Sequence, residues 1–322
     1  MNQLNILIRC DASTQIGLGH ITRCLVLAND LKDKGHTVFF AMKDNAIGKA
    51  KLQEQGFQYF LPPLPFNYYR WITSLTTQLN INIFIGDIRD GLPRTIINTL
   101  KKKNILTVAI DEPSDYRKAC DLCFYPPHAQ LEQLDWSGFN GKIKQGLEYV
   151  LLRPEFYGKK AFHTSNSKEL KKEILVMLGG TDPMQLTLPI INTLSNNNIN
   201  VHTIISKNHP DREEIQKTNA NVHFTLNDMD IFLQNFDYAI ISFGMTAYEL
   251  MILGIPSTHI LLDKDHEIAN RYFLKEGVAS SLLATKIGST RDLIDHSLSI
   301  KPCQIAGNLI AMEILKETMN AI

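Results

Sequence analysis

Asn5-Ile6-Leu7-Ile8-Arg9-Cys10-Asp11, followed after a polar loop by Gly17-Leu18-Gly19-His20-Ile21-Thr22-Arg23, decides how the chain reads. Asn5 to Ile8 is a short apolar run between polar residues, the pattern of a strand buried in a parallel sheet. The loop from Asp11 to Gly19 carries glycines where the backbone must turn. From Ile21 onward, Leu25, Leu27, Ala28 and Leu31 recur at helical spacing, Gly35 ends the helix, and Thr37 to Met42 forms the next strand. These pieces make one βαβ unit.

The same alternation continues outward. Ile81 to Ile85 reads as a strand, Pro93 to Lys102 as a helix and Ile105 to Ile110 as a strand. A second round starts at Ile174 to Leu178, which runs into Gly179-Gly180-Thr181-Asp182-Pro183, with a helix expected from about Met184 and a strand at Asn200 to Ser206. Tyr238 to Ser242 is a strand, Thr246 to Leu253 a helix stopped by Gly254 and Pro256, and Ser257 to Leu262 a strand. The fold class is therefore α/β, with two Rossmann-like domains whose parallel sheets face across a cleft. The polar stretch His163 to Lys172 marks the boundary, giving an N-terminal domain over 1–162 and a C-terminal domain over 173–322.

The length of 322 residues suits two cores. Thirty-three basic residues balance thirty-three acidic ones, so no electrostatic footprint for nucleic acid or an anionic membrane is present. No stretch of 18 apolar residues occurs, and the apolar piece at the start is too short for a signal peptide; a cytoplasmic protein with free thiols is expected. Cys120 and Cys123 form a lone C-x-x-C without the second pair or histidines that a zinc site needs, so no metal and no cofactor is expected.

Five segments carry candidate chemistry. Gly17 and Gly19 let the backbone approach a ligand, but no third glycine follows to complete a dinucleotide fingerprint. His20 opens the helix, where the positive end of the dipole favours a neutral imidazole able to take a proton from water; the alternative is a cap or packing contact. Gly180 and Thr181 can hold a phosphate, or the segment is a tight turn with Thr181 or Asp182 as N-cap and Pro183 at the first helical position. Ser242 to Glu249 places Gly244 at a sharp turn before a helix whose amides can receive a pyrophosphate, with Glu249 able to accept ribose hydroxyls; the spacing of Thr246 and Glu249 equally fits a capping box. Asp265 to Asn270 either lines the same cleft or is a capped polar helix start. Asp87 and Asp111 end strands of the first half, where they orient His20, bind sugar hydroxyls or cap the following helices.

Taken together, Arg9 to His20 with Arg23-Cys24-Leu25, Leu152-Arg153-Pro154-Glu155-Phe156, Leu178 to Asp182 and Ser242 to Glu249 resemble the PseG/SpsG family, UDP-2,4-diacetamido-2,4,6-trideoxy-β-L-altropyranose hydrolases and spore-coat proteins. The later motifs are also similar to MurG-like glycosyltransferases. The resemblance implies a GT-B fold, a nucleotide-sugar as the small-molecule partner, and hydrolysis that releases UDP and a free 2,4-diacetamido-2,4,6-trideoxyhexose, with transfer to a glycan acceptor as the alternative. It implies that His20 handles the attacking water. Substrate contacts are implied on the first half at Asp11, Gly17, Gly19, Arg23, Asp87, Asp111 and Arg153. On the second half, Gly180, Thr181, Ser242, Gly244, Met245 and Thr246 would hold the diphosphate side, Glu249 the ribose, and Asn270 would contribute from the following helix. Family members usually carry a tyrosine soon after the aspartate matching Asp87; here the run is Gly86-Asp87-Ile88-Arg89-Asp90.

Overall fold

Strand β1 (Asn5–Cys10) lies in the middle of its sheet, and its side chains enter two different cores. Ile6, Ile8 and Cys10 pack on one face and Leu7 on the other, as the two-residue repeat of a strand requires. That explains the unbroken apolar run: a parallel strand covered by helices on both faces has no solvent side. The structure is a computed structural model that describes residues 2–12, 17–158, 172–179, 182–195, 199–224, 226, 228–295, 297, 298, 300, 303, 305 and 307–320.

The described chain divides into two compact units, 1–153 with 307–322, and 154–306. Unit one continues with α1 (Gly19–Asp33), β2 (Thr37–Ala41), α2 (Ala46–Glu54), β3 (Gln58–Phe60), α3 (Tyr68–Gln78), β4 (Ile83–Asp87), α4 (Arg94–Lys102), β5 (Leu106–Ile110), β6 (Leu122–Tyr125) and β7 (Lys142–Gln145). Its parallel sheet has the order β3-β2-β1-β4-β5-β6-β7. Unit two holds β8 (Lys172–Met177), α5 (Thr187–Leu194), β9 (Ile199–Ile204), α6 (Arg212–Gln216), β10 (Asn221–His223), α7 (Met229–Leu233), β11 (Tyr238–Ser242), α8 (Met245–Leu253), β12 (Ser257–Leu261), α9 (Lys264–Lys275), β13 (Ala279–Leu283) and α10 (Thr290–Leu293). Its sheet, also parallel, runs β10-β9-β8-β11-β12-β13. Each sheet reverses its strand order once, between β1 and β4 in unit one and between β8 and β11 in unit two. At such a switch point the loops leave in opposite directions and open a crevice at the carboxyl ends of the strands.

Two expectations are corrected, and one open alternative is decided. The chain does not divide at 162 and 173: unit two begins at Pro154, and the last helix, α11 (Ile310–Asn320), returns to unit one. Ile310, Ala311, Ile314 and Leu315 make one helix face and join the core beneath α1, while Lys142 and Lys144 of β7 pair with Glu317 and Glu313. Residues 163–171 of the expected boundary lie outside the described residues. The helix expected from Met184 starts at Thr187 instead, because Asp182 and Gln185 take positive φ values of 35° and 52° and turn the chain first. The capping box left open as an alternative for Thr246 and Glu249 does not form, because α8 begins at Met245 with Gly244 as its N-cap and no side-chain cap bond.

The five cysteines are free thiols, and Cys120 and Cys123 are buried, as small apolar side chains would be. Among the described residues no helix is long and apolar enough to cross a membrane, and no group of three His, Cys, Asp or Glu could hold a metal ion.

Both tryptophans, Trp71 and Trp136, lie in unit one, so their fluorescence reports its unfolding alone. Ile314→Ala empties a fully buried position in α11 and is expected to cost unit one about 2–4 kcal/mol. Denaturant melts followed by tryptophan emission check this; an unmoved midpoint would place α11 outside this unit's core.

Candidate functional site

Asp87 ends β4 directly opposite Cys10 of β1, at the switch point of unit one. It is fully buried, and α1 supplies four contacts to its carboxylate. Oδ1 lies 2.6 Å from His20 Nδ1 and accepts from Arg23 Nη2 at 2.5 Å; Oδ2 accepts from Arg23 Nε at 2.6 Å and from Cys24 Sγ at 3.3 Å. Burial alone would raise this carboxyl, but the Arg23 guanidinium, and after it the His20 ring, overcome that and hold it well below the usual carboxylate range. An ionised carboxylate only accepts, so Nδ1 of His20 carries a proton towards Asp87. The atom left to exchange a proton is Nε2.

His20 is the second residue of α1, and no side chain caps this helix. The ring is therefore no cap; it reaches across to the neighbouring strand. Arg23, one turn further on, spends its guanidinium on the protein: besides the fork on Asp87, Nη1 donates to Asp111 Oδ2 at 3.2 Å, and Nη2 sits 3.2 Å from His20 Nδ1. Asp111 follows β5 with a left-handed backbone, φ 48°, and also meets Arg89 Nη2 at 3.5 Å. Neither Asp87 nor Asp111 caps a helix: α4 has Pro93 at its N-cap. The structure thus brings together His20, Arg23, Asp87 and Asp111, with Gly17 (φ 75°) and Gly19 leading into the helix. Arg153, half-buried, closes this unit's first segment.

Asp11 belongs to a neighbouring cluster that sequence reasoning did not see. Arg9 is completely buried, and all five of its N–H groups are used. Two donate to Asp11 as a 2.6 Å fork, one to Asp90 Oδ2 at 2.6 Å, one to the Cys10 carbonyl at 3.0 Å, and Nε to the Tyr68 hydroxyl at 2.8 Å. The guanidinium also lies over the Trp71 and Tyr68 rings. The Tyr68 hydroxyl bonds Asp90 at 3.0 Å, so a tyrosine does meet the loop after Asp87, from α3. The readable signal was a single charge inside the apolar run of β1. His128, after β6, was also missed; it feels the charges of Asp111, Arg23 and Arg89, and burial lowers its affinity for a proton.

In unit two, Gly179 (φ 83°) leaves β8 beside Ser242 at the end of β11, across the switch point. Gly180 and Thr181 lie outside the described residues. Asp182 turns its carboxylate to the amides of Leu186 and Thr187, at 3.1 and 2.8 Å. Ser242, Gly244, Met245 and Thr246 are half-buried at the α8 start, whose first turn holds no acidic residue; Glu249 is buried. Asp263 caps α9 by accepting the His266 amide, so Asp265 to Asn270 is a capped helix start. Asn270 is fully buried, and its Oδ1 lies 2.5 Å from His259 Nδ1. Burial lowers His259 to about 4, against the pull of that bond.

No family model matches the chain. It is 23% identical over 294 residues to the spore coat polysaccharide biosynthesis protein SpsG of Bacillus subtilis, covering 87% of this chain and 84% of that protein. It is 24% identical over 293 residues to the UDP-2,4-diacetamido-2,4,6-trideoxy-beta-L-altropyranose hydrolase of Campylobacter jejuni, covering 85% and 97%. It is 25% identical over 268 residues to an uncharacterized protein of Methanocaldococcus jannaschii; the match takes 79% of this chain and spans 54%, about half, of that relative. The resemblance read from the motifs is thus a similarity along most of the chain. Among solved structures, MurG of Acinetobacter baumannii superposes with a TM-score of 0.71 at 12% identity over 98% of this chain and 99% of that one. Glycosyltransferase VinC, solved in complex with dTDP, superposes with a TM-score of 0.61 at 12% identity over 98% and 95%. These likenesses show the fold, which is that of the GT-B glycosyltransferases.

Asp87→Asn removes the buried anion that offsets half-buried Arg23 and is expected to destabilise unit one by about 3–5 kcal/mol. A depressed carboxyl contributes stability above its unfolded value of about 4 and loses it as pH falls further. Melting temperatures of wild type and Asp87→Asn should therefore converge in acid and stand furthest apart at neutral pH.

Proposed function

We propose that this chain hydrolyses a UDP-sugar, releasing UDP and a free 2,4-diacetamido-2,4,6-trideoxyhexose for surface-glycan synthesis. The observation that carries the reading is the 2.6 Å contact of His20 Nδ1 with buried Asp87, at the carboxyl edge of the unit-one sheet. The similarity to a hydrolase acting on such a substrate, along 97% of that enzyme's length, supports it.

In this reading His20 Nε2 takes a proton from water. The hydroxide oxygen bonds to the anomeric carbon as that carbon's bond to the β-phosphate oxygen breaks, and the electron pair leaves with UDP. Asp87 holds the ring and stabilises the imidazolium that forms. Unit two carries the nucleotide. Its uncapped α8 amides, with Gly180 and Thr181, take the diphosphate, and Glu249 takes the ribose. Asp111, Asp11 and the Gly17–Gly19 turn belong to the sugar side. Metal chemistry is not needed where amides and a helix dipole stabilise the departing diphosphate.

A second reading is transfer of the sugar to a glycan acceptor. It is favoured by the fold likeness to MurG and VinC, both glycosyltransferases. The two readings differ in acceptor dependence.

Purified protein incubated with UDP-activated diacetamido-trideoxyhexoses is expected to release UDP without any acceptor, and His20→Gln to lower that rate by about a hundred- to ten-thousand-fold. Release only upon adding a glycan acceptor would favour transfer; release undiminished in His20→Gln would remove His20 from the chemistry.

A further inference from the structure

Arg23 is bound to the same carboxylate that orients His20. In a simple Asp–His pair the whole negative charge of the aspartate faces the ring and stabilises the imidazolium. Here the Asp87 carboxylate is forked by Arg23 Nε and Nη2, at 2.6 and 2.5 Å, and the same Nη2 stands 3.2 Å from His20 Nδ1. A permanent cation therefore sits beside the one ring nitrogen that a second charge on the imidazole would crowd. The Nδ1–H bond to Asp87 survives this, because the carboxylate has lone pairs for both donors.

We infer that Arg23 is a positioning residue that shares the charge of Asp87, so that Asp87 fixes the tautomer of His20 without drawing a second proton onto the ring. The ring keeps its Nδ1–H bond to Asp87 while the guanidinium takes up part of that carboxylate's charge. The charge on Arg23 is itself trimmed by Asp111 at 3.2 Å, and Asp111 by Arg89 at 3.5 Å. Of the titratable and charged groups here, Asp87 and Arg23 meet the ring itself; Cys24 meets Asp87, Asp111 meets Arg23, Arg89 meets Asp111, and His128 feels the charges of Asp111, Arg23 and Arg89. The sign of each contribution follows from this chain. Removing Arg23 exposes the ring to the full Asp87 charge; removing the Asp111 charge leaves Arg23 less compensated and acts the opposite way. The arginine previously assigned to substrate by resemblance is thereby given to the base.

The consequence for turnover rests on the hydrolase reading, but the test does not. Ring resonances of the full chain, labelled on histidine, are titrated by NMR, with His20 identified by the signal lost in His20→Gln. The His20 midpoint is expected to rise by about one to two pH units in Arg23→Gln. It should rise less in Arg23→Lys, which keeps a cation without the fork, and fall in Asp111→Asn, whose side chain tolerates the left-handed backbone there. Coincident midpoints, or a fall in Arg23→Gln, would overturn the inference. Should Arg23→Gln not fold, Arg23→Lys decides alone, since it keeps the cation and loses the fork: a higher midpoint supports the sharing, and an equal or lower one ends it. A purely structural Arg23 would move melting temperatures and not produce shifts of opposite sign. Since no turnover is needed, absence of UDP release sinks only the hydrolase reading.

Discussion

A fully buried carboxylate constrains everything at the carboxyl edge of the first sheet. Burying the Asp87 charge costs several kcal/mol unless strong partners surround it. Four donors reach it from the first turns of α1, at His20, Arg23 and Cys24. The helix is thereby tied to β4, its neighbour across the switch point, as well as to β1, from which it descends. The start of α1 cannot drift without stranding an ion, and the glycine loop before it must end where that geometry demands.

A second ionic knot lies on the opposite face of the same strands. Arg9 points to the α3 side, where Trp71 and Tyr68 flank it and Asp11 and Asp90 neutralise it. Arg23 serves the α1 side. The ends of β1 and β4 are thus pinned on both faces by arginine–aspartate forks, whose planar geometry gives direction as well as attraction. Unit two is built differently at its own switch point. The described residues there are Gly179, Ser242, Gly244 and Met245, all neutral, and Asp182 is turned to nearby amides. One unit sets an imidazole among fixed charges; the other presents a helix start with no side-chain cap.

Much of the architecture could be read from the residues. The central strands β1, β4, β5, β8, β11 and β12 were legible because burial on two faces demands apolar runs. The edge strands β3, β7 and β10 were not: Gln58-Tyr59-Phe60, Lys142 to Gln145 and Asn221-Val222-His223 are short and partly polar, and pairing with a neighbour rather than their own pattern makes them strands. The stop of α8 was legible, since Gly254 takes the left-handed cap that favours glycine. The start of α5 was misread because Thr-Asp-Pro imitates a cap followed by proline, while two positive-φ residues delay the helix.

Sequence alone determined the alternation of strands and helices, the two sheets, and the presence of His20 and Asp87 at a helix start and a strand end, because these follow from local periodicity and capping. Only the tertiary structure decided that α11 returns to the first core, that Arg9 is buried and fully bonded, that Asn270 lies inside, and that Arg23 stands between Asp87 and Asp111. Such contacts join residues tens of positions apart. Their partners are chosen by packing and by the need to neutralise buried charge, which no local pattern records.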